Sequence, residues 1–251
     1  MNDNIYENEG PAGAIKHELI YQTVNMLWFQ RTVKSLKLKH REETFNALEI
    51  GAGAGSTIGL IKQHLPTASA VACDIYIPAS LKGKDLFPEI SFAVCDGCSL
   101  SYASGYFDTV IIHDVLEHVT RPAEMIKEAY RVLKRGGTLF LFVPCEGQPG
   151  TIHALFPANI KKLHGHIQDF RLNEVVTMVR QTRFSITAQI YSFHIIGQIS
   201  DIIPYFIDRN RVGILSSIAN KVIDLLARTA YVESRLLENY PGLCLEIMAT
   251  K

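Results

Sequence analysis

A glycine-rich run after an apolar strand is the first place in this 251-residue sequence where chemistry can be predicted. The run has the form E-x-G-x-G-x-G: Glu49 ends the strand, and Gly51, Gly53 and Gly55 follow it. Glycine lets the backbone turn tightly and lets a ligand lie against bare peptide groups. The helix predicted after the run presents free N–H groups at its N-terminus. Together these features predict a site for a nucleoside-containing cofactor.

Two classes of cofactor bind loops of this kind. The dinucleotide pattern requires a small Gly or Ala three positions after the second glycine, where this chain has Ser56. The carboxylate of Glu49 is also an unusual neighbour for a pyrophosphate, whereas it suits a cationic ligand. The loop therefore favours a cationic cofactor, and an NAD-dependent oxidoreductase is the disfavoured alternative.

Acidic residues end the next two predicted strands. The first ends in Asp74, whose carboxylate can accept both ribose hydroxyls in either class of cofactor. The second ends in Asp96, which Gly97 follows. Residues 107–119 then predict a buried strand, and residues 131–144 predict a helix, a Gly-Gly turn and a fifth strand.

In this order, the motifs resemble those of the class I S-adenosylmethionine-dependent methyltransferases over about residues 45–193. The resemblance implies S-adenosylmethionine as the cofactor. It also implies that the loop passes under the methionine and ribose, that Glu49 acts through loop amides or water, and that Asp96 binds the adenine amino group. The cofactor-binding residues it implies are Glu49, Gly51, Ala52, Gly53, Gly55, Asp74, Ile75, Asp96, Gly97 and His113.

Methyl transfer from a sulfonium is an in-line displacement, so the acceptor must be aligned behind the methyl carbon in a water-poor cleft. A hydroxyl or protonated amine acceptor also needs a base, and histidine is suited to this role near pH 7. Ligands of open α/β sheets bind beyond the carboxyl ends of the strands, which is where His113, Asp114 and the later His153, His164 and His166 are expected. We predict His113, beside Asp114, as the first candidate for a base or substrate-orienting group, and His166 as the second.

The spacing of Asp114, Glu117 and His118 resembles the divalent-metal site of some quinone-biosynthesis O-methyltransferases. On a helical turn these three side chains would lie on one face. Runs similar to LEHV occur widely in the methyltransferase family without a metal, so the sequence predicts no metal site.

Strands and helices alternate regularly from residue 45 onwards, which indicates a parallel sheet. We predict a Rossmann-like α/β fold whose seven-stranded, mostly parallel sheet has an antiparallel last strand. The predicted strands are 45–50, 69–75, 90–95, 107–113, 138–143, 184–193 and 242–250. A helix over about 121–134 is expected to have Pro122 in its first turn and Gly136 at its end.

An N-terminal segment, residues 1–44, precedes this predicted methyltransferase domain of residues 45–251. It is predicted as a tail and a lid helix over about 14–38. Within this helix Tyr21, Trp28 and Phe29 are the bulky residues that could contact the cofactor cleft.

A helical insertion is predicted at about 194–241, before the last strand. It could cover the cleft or form a homodimer interface. Polar residues interrupt it before the ~20 apolar residues that a membrane span needs, so we expect no transmembrane segment, while peripheral membrane contact stays open.

Charge and cysteine content indicate which binding partners and which cellular compartment to expect. Lys+Arg and Asp+Glu both number 25, without a basic run, which argues against a nucleic-acid substrate. The five cysteines are interpreted as reduced, buried apolar residues and not as a disulfide framework. The acidic, polar start of the chain is unlike a signal peptide, so we expect a cytoplasmic protein.

The sequence thus predicts an enzyme that transfers a methyl group from S-adenosylmethionine to an oxygen or nitrogen of a small molecule, a sugar or a lipid-like acceptor. The alternative from another class is a protein that binds S-adenosylmethionine without turnover and acts as a partner subunit through its C-terminal helices.

Overall fold

The structure is a computed structural model that describes residues 27–41, 43–147, 149, 165–199, 225–226 and 228–251. Several predictions lie outside these residues: the N-terminal tail, the first half of the lid helix with Tyr21, the histidines His153 and His164, and most of the helical insertion. In the part of the chain that is described, no helix is long and apolar enough to cross a bilayer.

Strands and helices alternate along the described chain. The strands are β1 (Phe45–Ile50), β2 (Ala68–Asp74), β3 (Ser91–Val94), β4 (Phe107–His113), β5 (Leu133–Pro144), β6 (Ser185–Ser192) and β7 (Cys244–Thr250). The helices are α1 (27–40), α2 (Ser56–His64), α3 (Ile77–Leu86), α4 (Pro122–Val132), α5 (Leu172–Gln181), the short α6 (195–199) and α7 (225–226 and 228–236), with a 3-10 turn at Leu116–His118.

The seven strands form one sheet in the order β3-β2-β1-β4-β5-β7-β6. Strands β1 to β5 pair in parallel, and β7 pairs antiparallel with both β5 and β6. The predicted Rossmann-like fold is therefore confirmed. One boundary differs, because α4 ends at Val132 and Leu133 already pairs with Phe107 of β4, ahead of the Gly-Gly turn.

Both faces of the sheet are buried, as expected for parallel strands with helices on either side. Alternate residues of a strand point to opposite faces. In β1, Ala47 packs in the cluster that includes α1 and α2, whereas Leu48 packs in the cluster that includes α4 and α5. This packing leaves the carboxyl edge of the strands as the place where loops can form a site.

An ion pair connects α1 to strand β7. The Arg31 guanidinium donates to both carboxylate oxygens of Glu246 at 2.9 Å, and it also donates to Glu238 at 2.9 Å. Burial raises the pKa of Glu246, and Arg31 opposes that rise. Helix α1 is thus tied to β7 by a charged contact in addition to apolar packing.

The prediction that the cysteines are all reduced is wrong for two of them. Cys73, near the end of β2, and Cys95, just after β3, form a disulfide with Cα atoms 6.0 Å apart. The neighbouring strands bring these side chains together, which the spacing of 22 residues in the sequence does not reveal. Cys98, Cys145 and Cys244 are free.

Candidate cofactor and active site

The glycine loop connects β1 to α2 and has a left-handed backbone at each glycine, with φ of 72° at Gly51, 54° at Gly53 and 75° at Gly55. A β-carbon at Gly51 would lie 2.5 Å from the methyl groups of Val115. A β-carbon at Gly53 would meet no atom within 4 Å. Gly51 is therefore required by packing, whereas Gly53 exposes bare backbone to open space.

Glu49 is buried beneath this loop, with 3% of the residue exposed. Its Oε2 accepts the N–H of Ile58 at 3.0 Å, in the first turn of α2, where Gly55 offers no side-chain cap. Burial raises the pKa of Glu49 to about 8, although the Ile58 N–H and a bond from Thr57 oppose the shift. The carboxyl therefore positions the loop and the helix start.

Asp74 joins the end of β2 to the glycine loop. Its Oδ2 accepts the N–H of Gly53 at 2.6 Å, and its Oδ1 accepts the N–H of Tyr76 at 2.8 Å. The next residue, Ile75, is 71% exposed and offers an apolar surface at this edge. Asp74 is thus held in one orientation beside the open side of Gly53.

Asp96 follows β3 and has a cationic partner that the sequence did not indicate. Its Oδ1 accepts the N–H of Cys98 at 2.8 Å, while its Oδ2 lies 3.2 Å from Arg121. Arg121 also pairs with Glu124 at 2.7 Å. Gly97 beside it is buried, and a β-carbon there would lie 2.6 Å from Ile50 and from Met125.

The sheet order explains why these residues meet. Strands β3, β2, β1 and β4 are adjacent and parallel, so their carboxyl ends lie along one edge. That edge places the glycine loop, Asp74, Asp96 and His113 in a row, at the reversal of strand order where α/β folds bind ligands. Ala52 of the loop has its N–H bonded to the carbonyl of Cys73, which links β1 to β2.

His113 ends β4 in an aromatic enclosure. Its ring centroid lies 4.4 Å from Trp28 of α1 and 4.8 Å from Phe142 of β5. Its Nδ1 lies 3.4 Å from Oδ2 of Asp114, and within the described residues its buried Nε2 has no hydrogen-bond partner. Burial lowers the pKa of His113, so the ring favours the neutral form that can accept a proton.

Asp114 has a left-handed backbone, with φ of 52°. Aspartate tolerates this region better than most residues, and strain of this kind is concentrated at functional sites. The strained turn directs the chain from β4 into the 3-10 turn that contains Glu117 and His118.

His166 lies in a second group of ionisable residues and not beside the His113 ring. Its Nδ1 is 3.1 Å from Oε2 of Glu146, which lies just after β5, and its ring centroid is 5.0 Å from that of His118. Glu117 is 1% exposed and lies 3.8 Å from His118. The sequence analysis missed Glu146, because it lies in a Pro/Gly-rich loop with no motif.

Known proteins resemble this chain in sequence and in fold. Residues 48–141 match the family model of a methyltransferase domain. The ubiquinone/menaquinone biosynthesis C-methyltransferase UbiE of Cereibacter sphaeroides is 27% identical over 133 residues, which cover 51% of this chain and 52% of that protein. The chain thus spans about half the length of the curated relatives it matches.

Two solved structures show the same fold at low identity. An S-adenosylmethionine-dependent methyltransferase from Thermotoga maritima has a TM-score of 0.61 and 16% identity, over 95% of this chain and 92% of that one. The [4+2]-cyclase SpnF has a TM-score of 0.59 and 17% identity, over 88% of this chain and 80% of that one.

The motif order, the sheet topology and the match over residues 48–141 make this chain similar to class I S-adenosylmethionine-dependent methyltransferases. This similarity favours S-adenosylmethionine as the cofactor over a dinucleotide. Another similar protein is the mitochondrial 2-methoxy-6-polyprenyl-1,4-benzoquinol methylase of Caenorhabditis elegans, which is 25% identical over 54% of this chain and 50% of that protein.

Proposed function

We propose that this chain transfers the methyl group of S-adenosylmethionine to a small or lipid-like acceptor, at an oxygen or nitrogen that loses a proton. The observation that carries the proposal is the position of His113 at the end of β4, with its Nδ1 3.4 Å from Asp114 and, among the described residues, no hydrogen-bond partner for its Nε2. A base at this place is what a hydroxyl or amine acceptor requires.

Cofactor binding in this proposal uses groups that the fold already fixes. Asp74 accepts the ribose hydroxyls, Asp96 accepts the adenine amino group, and the open backbone at Gly53 lies against the methionine and ribose. Glu49 acts indirectly, because its carboxyl holds the start of α2. Arg121 must yield part of its contact with Asp96 when adenine binds.

In the transfer step, the acceptor oxygen or nitrogen attacks the methyl carbon as the carbon–sulfur bond breaks. The electron pair of that bond stays on sulfur, which gives neutral S-adenosylhomocysteine. The proton of the acceptor passes to Nε2 of His113, and Asp114 stabilises the resulting imidazolium through Nδ1. Trp28 and Phe142 exclude water from this proton transfer.

The names of the relatives guide the choice of acceptors to test. UbiE of Cereibacter sphaeroides is named a quinone-biosynthesis C-methyltransferase. A quinol hydroxyl that loses its proton becomes nucleophilic at oxygen and also at the neighbouring ring carbon. A base such as His113 therefore suits either atom of a prenylated quinol, and this acceptor class belongs in the assay beside simple phenols and amines.

The test supplies purified protein with S-adenosylmethionine labelled in its methyl group, together with a prenylated benzoquinol, a simple catechol or a primary amine. We expect labelled product with the lipid-like acceptor, and a His113→Gln variant with at least 10-fold lower kcat and unchanged affinity for S-adenosylhomocysteine. Full activity of that variant would remove His113 as the base.

A second candidate is a protein that binds S-adenosylmethionine without methyl transfer. The similarity to SpnF supports this second candidate, because that protein has the same fold and is named a cyclase. Tight binding of S-adenosylhomocysteine by calorimetry, with no label incorporated into any acceptor or into cell extract, would support this candidate over the first.

A further inference from the structure

A group of acids and histidines lies beside His113, and of its members the proposed proton transfer uses only Asp114. This acid–histidine cluster consists of Asp114, Glu117, His118, Glu146 and His166. Glu117 is its most unusual member, because it is 1% exposed and, within the described residues, neither carboxylate oxygen has a hydrogen-bond partner. A carboxylate buried without a partner is costly, so Glu117 requires either a proton or a cation.

Close contacts connect Glu117 to the two histidines. Its Oε1 lies 3.8 Å from Nε2 of His118, and the ring centroid of His118 lies 5.0 Å from that of His166. A divalent cation among these groups would balance the carboxylate charge at a single point.

The two histidines are oriented as metal ligands usually are. Nδ1 of His166 faces the carboxylate of Glu146 at 3.1 Å, and Nδ1 of His118 faces the carbonyl of Gly165 at 3.3 Å. Metal-binding histidines commonly donate one ring N–H to a carboxylate or a backbone carbonyl, which fixes the tautomer. Each ring offers one nitrogen to the group of ligand atoms.

We propose that Glu117, His118 and His166 bind a divalent transition-metal ion of the Zn²⁺ type, with Glu146 orienting His166. One ligand atom from each of the three residues lies within 4.8 Å of the others. Around a metal with ligands at about 2.0–2.2 Å, such atoms lie closer together, so the side chains must draw in by roughly 1 Å. Two imidazoles and one carboxylate favour a transition metal over Mg²⁺ or Ca²⁺, which prefer oxygen ligands.

This set differs from the one that the sequence suggested. The spacing placed Asp114 with Glu117 and His118 and did not include His166, which lies beyond β5. Asp114 instead faces His113, and it influences Glu117 only through its charge. The third ligand is supplied by a distant loop, which the spacing of Asp114, Glu117 and His118 could not indicate.

The position of the site gives it a role that rests on the proposed function. Asp114 connects it to His113, because its Oδ2 lies 3.4 Å from Nδ1 of His113 and it precedes Glu117 by three residues. Three protein ligands leave coordination positions for an acceptor hydroxyl, whose proton a bound metal would make more acidic.

Metal binding can be tested without any methyl transfer. The chelator-treated full chain is titrated with Co²⁺, which substitutes for Zn²⁺ and absorbs visible light when bound by imidazole and carboxylate in a low-coordinate site. We expect one Co²⁺ per chain, displaced by Zn²⁺ and not by Mg²⁺. A wild-type chain that gives no such absorption, or in which Mg²⁺ displaces Co²⁺, would overturn the assignment.

Variants then locate the site. Glu117→Gln and His166→Asn should each weaken Co²⁺ binding at least 10-fold, and Glu146→Gln should weaken it less while keeping the absorption band. The matched controls are His64→Asn and Glu124→Gln, which change exposed residues of α2 and α4 and should bind Co²⁺ as the wild type does. Unchanged Co²⁺ binding by Glu117→Gln and by His166→Asn would overturn the proposed ligand set.

The two proposals can fail separately. Co²⁺ binding without labelled product from any acceptor would contradict the proposed function and leave the metal site standing. Methyl transfer by a chelator-treated chain that binds no Co²⁺ would contradict the metal site and leave the proposed function standing.

Discussion

Individual residues of the site contribute differently to cofactor binding and to the stability of the fold. Glu49 and the glycines of the loop lie within a few residues of each other, yet they differ in what surrounds them. Glu49 is enclosed and bonded to a helix N–H, Gly51 is closely packed, and Gly53 faces open space. Substitutions at these positions should therefore have distinct effects.

The pH dependence of folding should report on Glu49. Its pKa is about 8 in the folded chain against an ordinary 4.5, so the folded state keeps a proton that the unfolded state loses. This contribution to stability is fully present below pH 4.5 and is lost as the pH rises towards 8. Glu49→Gln should flatten the decrease in the free energy of unfolding between pH 5 and 8, measured with urea.

Glu43→Gln is the matched control for this measurement, because Glu43 is exposed ahead of β1. It should retain the wild-type pH profile. A Glu49→Gln profile as steep as that of the control would contradict the raised pKa.

The two loop glycines should respond differently to alanine. Gly53→Ala adds a methyl group into open space, so it should cost only the strain of a positive φ, about 1–2 kcal/mol, while affinity for S-adenosylhomocysteine falls at least 10-fold. Gly51→Ala forces a contact of 2.5 Å with Val115 and should destabilise the fold more. Thermal unfolding and calorimetry measure the two effects, and equal stability of both variants would contradict this picture.

At the scale of secondary-structure elements, this chain has unusual residues where one element connects to or contacts another. The turn between α5 and β6 places Arg183 at a φ of 71°, where glycine is the usual residue. Helix α1 contacts β7 through the ion pair between Arg31 and the buried Glu246. Each feature predicts a change in stability.

Replacing Arg183 with glycine should stabilise the protein by about 1 kcal/mol. The side chain of Arg183 is exposed, so its removal costs little packing, and glycine adopts the left-handed backbone without strain. The free energy gained in this way exceeds the cost of the additional conformational entropy that glycine gives the unfolded chain. The control is the same change at the exposed Arg180 within α5, which should destabilise by about 1 kcal/mol. Urea unfolding that gives both variants the same sign would contradict the assignment.

Removing the Arg31 side chain charge should destabilise the protein strongly. Arg31→Met leaves Glu246 buried without its partner, which typically costs about 3–5 kcal/mol. The double variant with Glu246→Met should recover most of that loss. Glu238→Gln, which affects the more exposed partner of Arg31, should change the free energy of unfolding by less than about 1 kcal/mol.

At the scale of the whole molecule, the sheet was the most predictable part. The strand ends at Ile50 and His113 follow from runs of apolar residues between turn signals, and these runs need only local information. The acidic residues at strand ends could be placed on one edge because parallel strands share their direction. The order of motifs therefore predicted both the fold and the cofactor.

Contacts between distant segments could not be predicted in this way. The pairing of Arg121 with Asp96, of Glu146 with His166 and of Trp28 with His113 depends on how loops and helices pack on the sheet. No periodicity in the sequence encodes them. The reduced state assigned to Cys73 was wrong for the same reason.

A count of free thiols checks that correction on the whole protein. Unfolded in denaturant without reductant, each chain should react with three equivalents of an alkylating reagent, at Cys98, Cys145 and Cys244. After reduction, all five cysteines should react. Mass spectrometry distinguishes these outcomes, and five modified thiols before reduction would contradict the disulfide.

The Cys73–Cys95 bond also turns the segment between the two cysteines into a covalent ring, which persists when the rest of the chain unfolds. For a separation of 22 residues, closing such a ring removes unfolded-state entropy equivalent to about 3 kcal/mol. Folding would then start from a chain in which β2 and β3 are already tethered. The segment between the two cysteines, which includes Asp74, therefore loses less chain entropy on folding than an open segment of the same length.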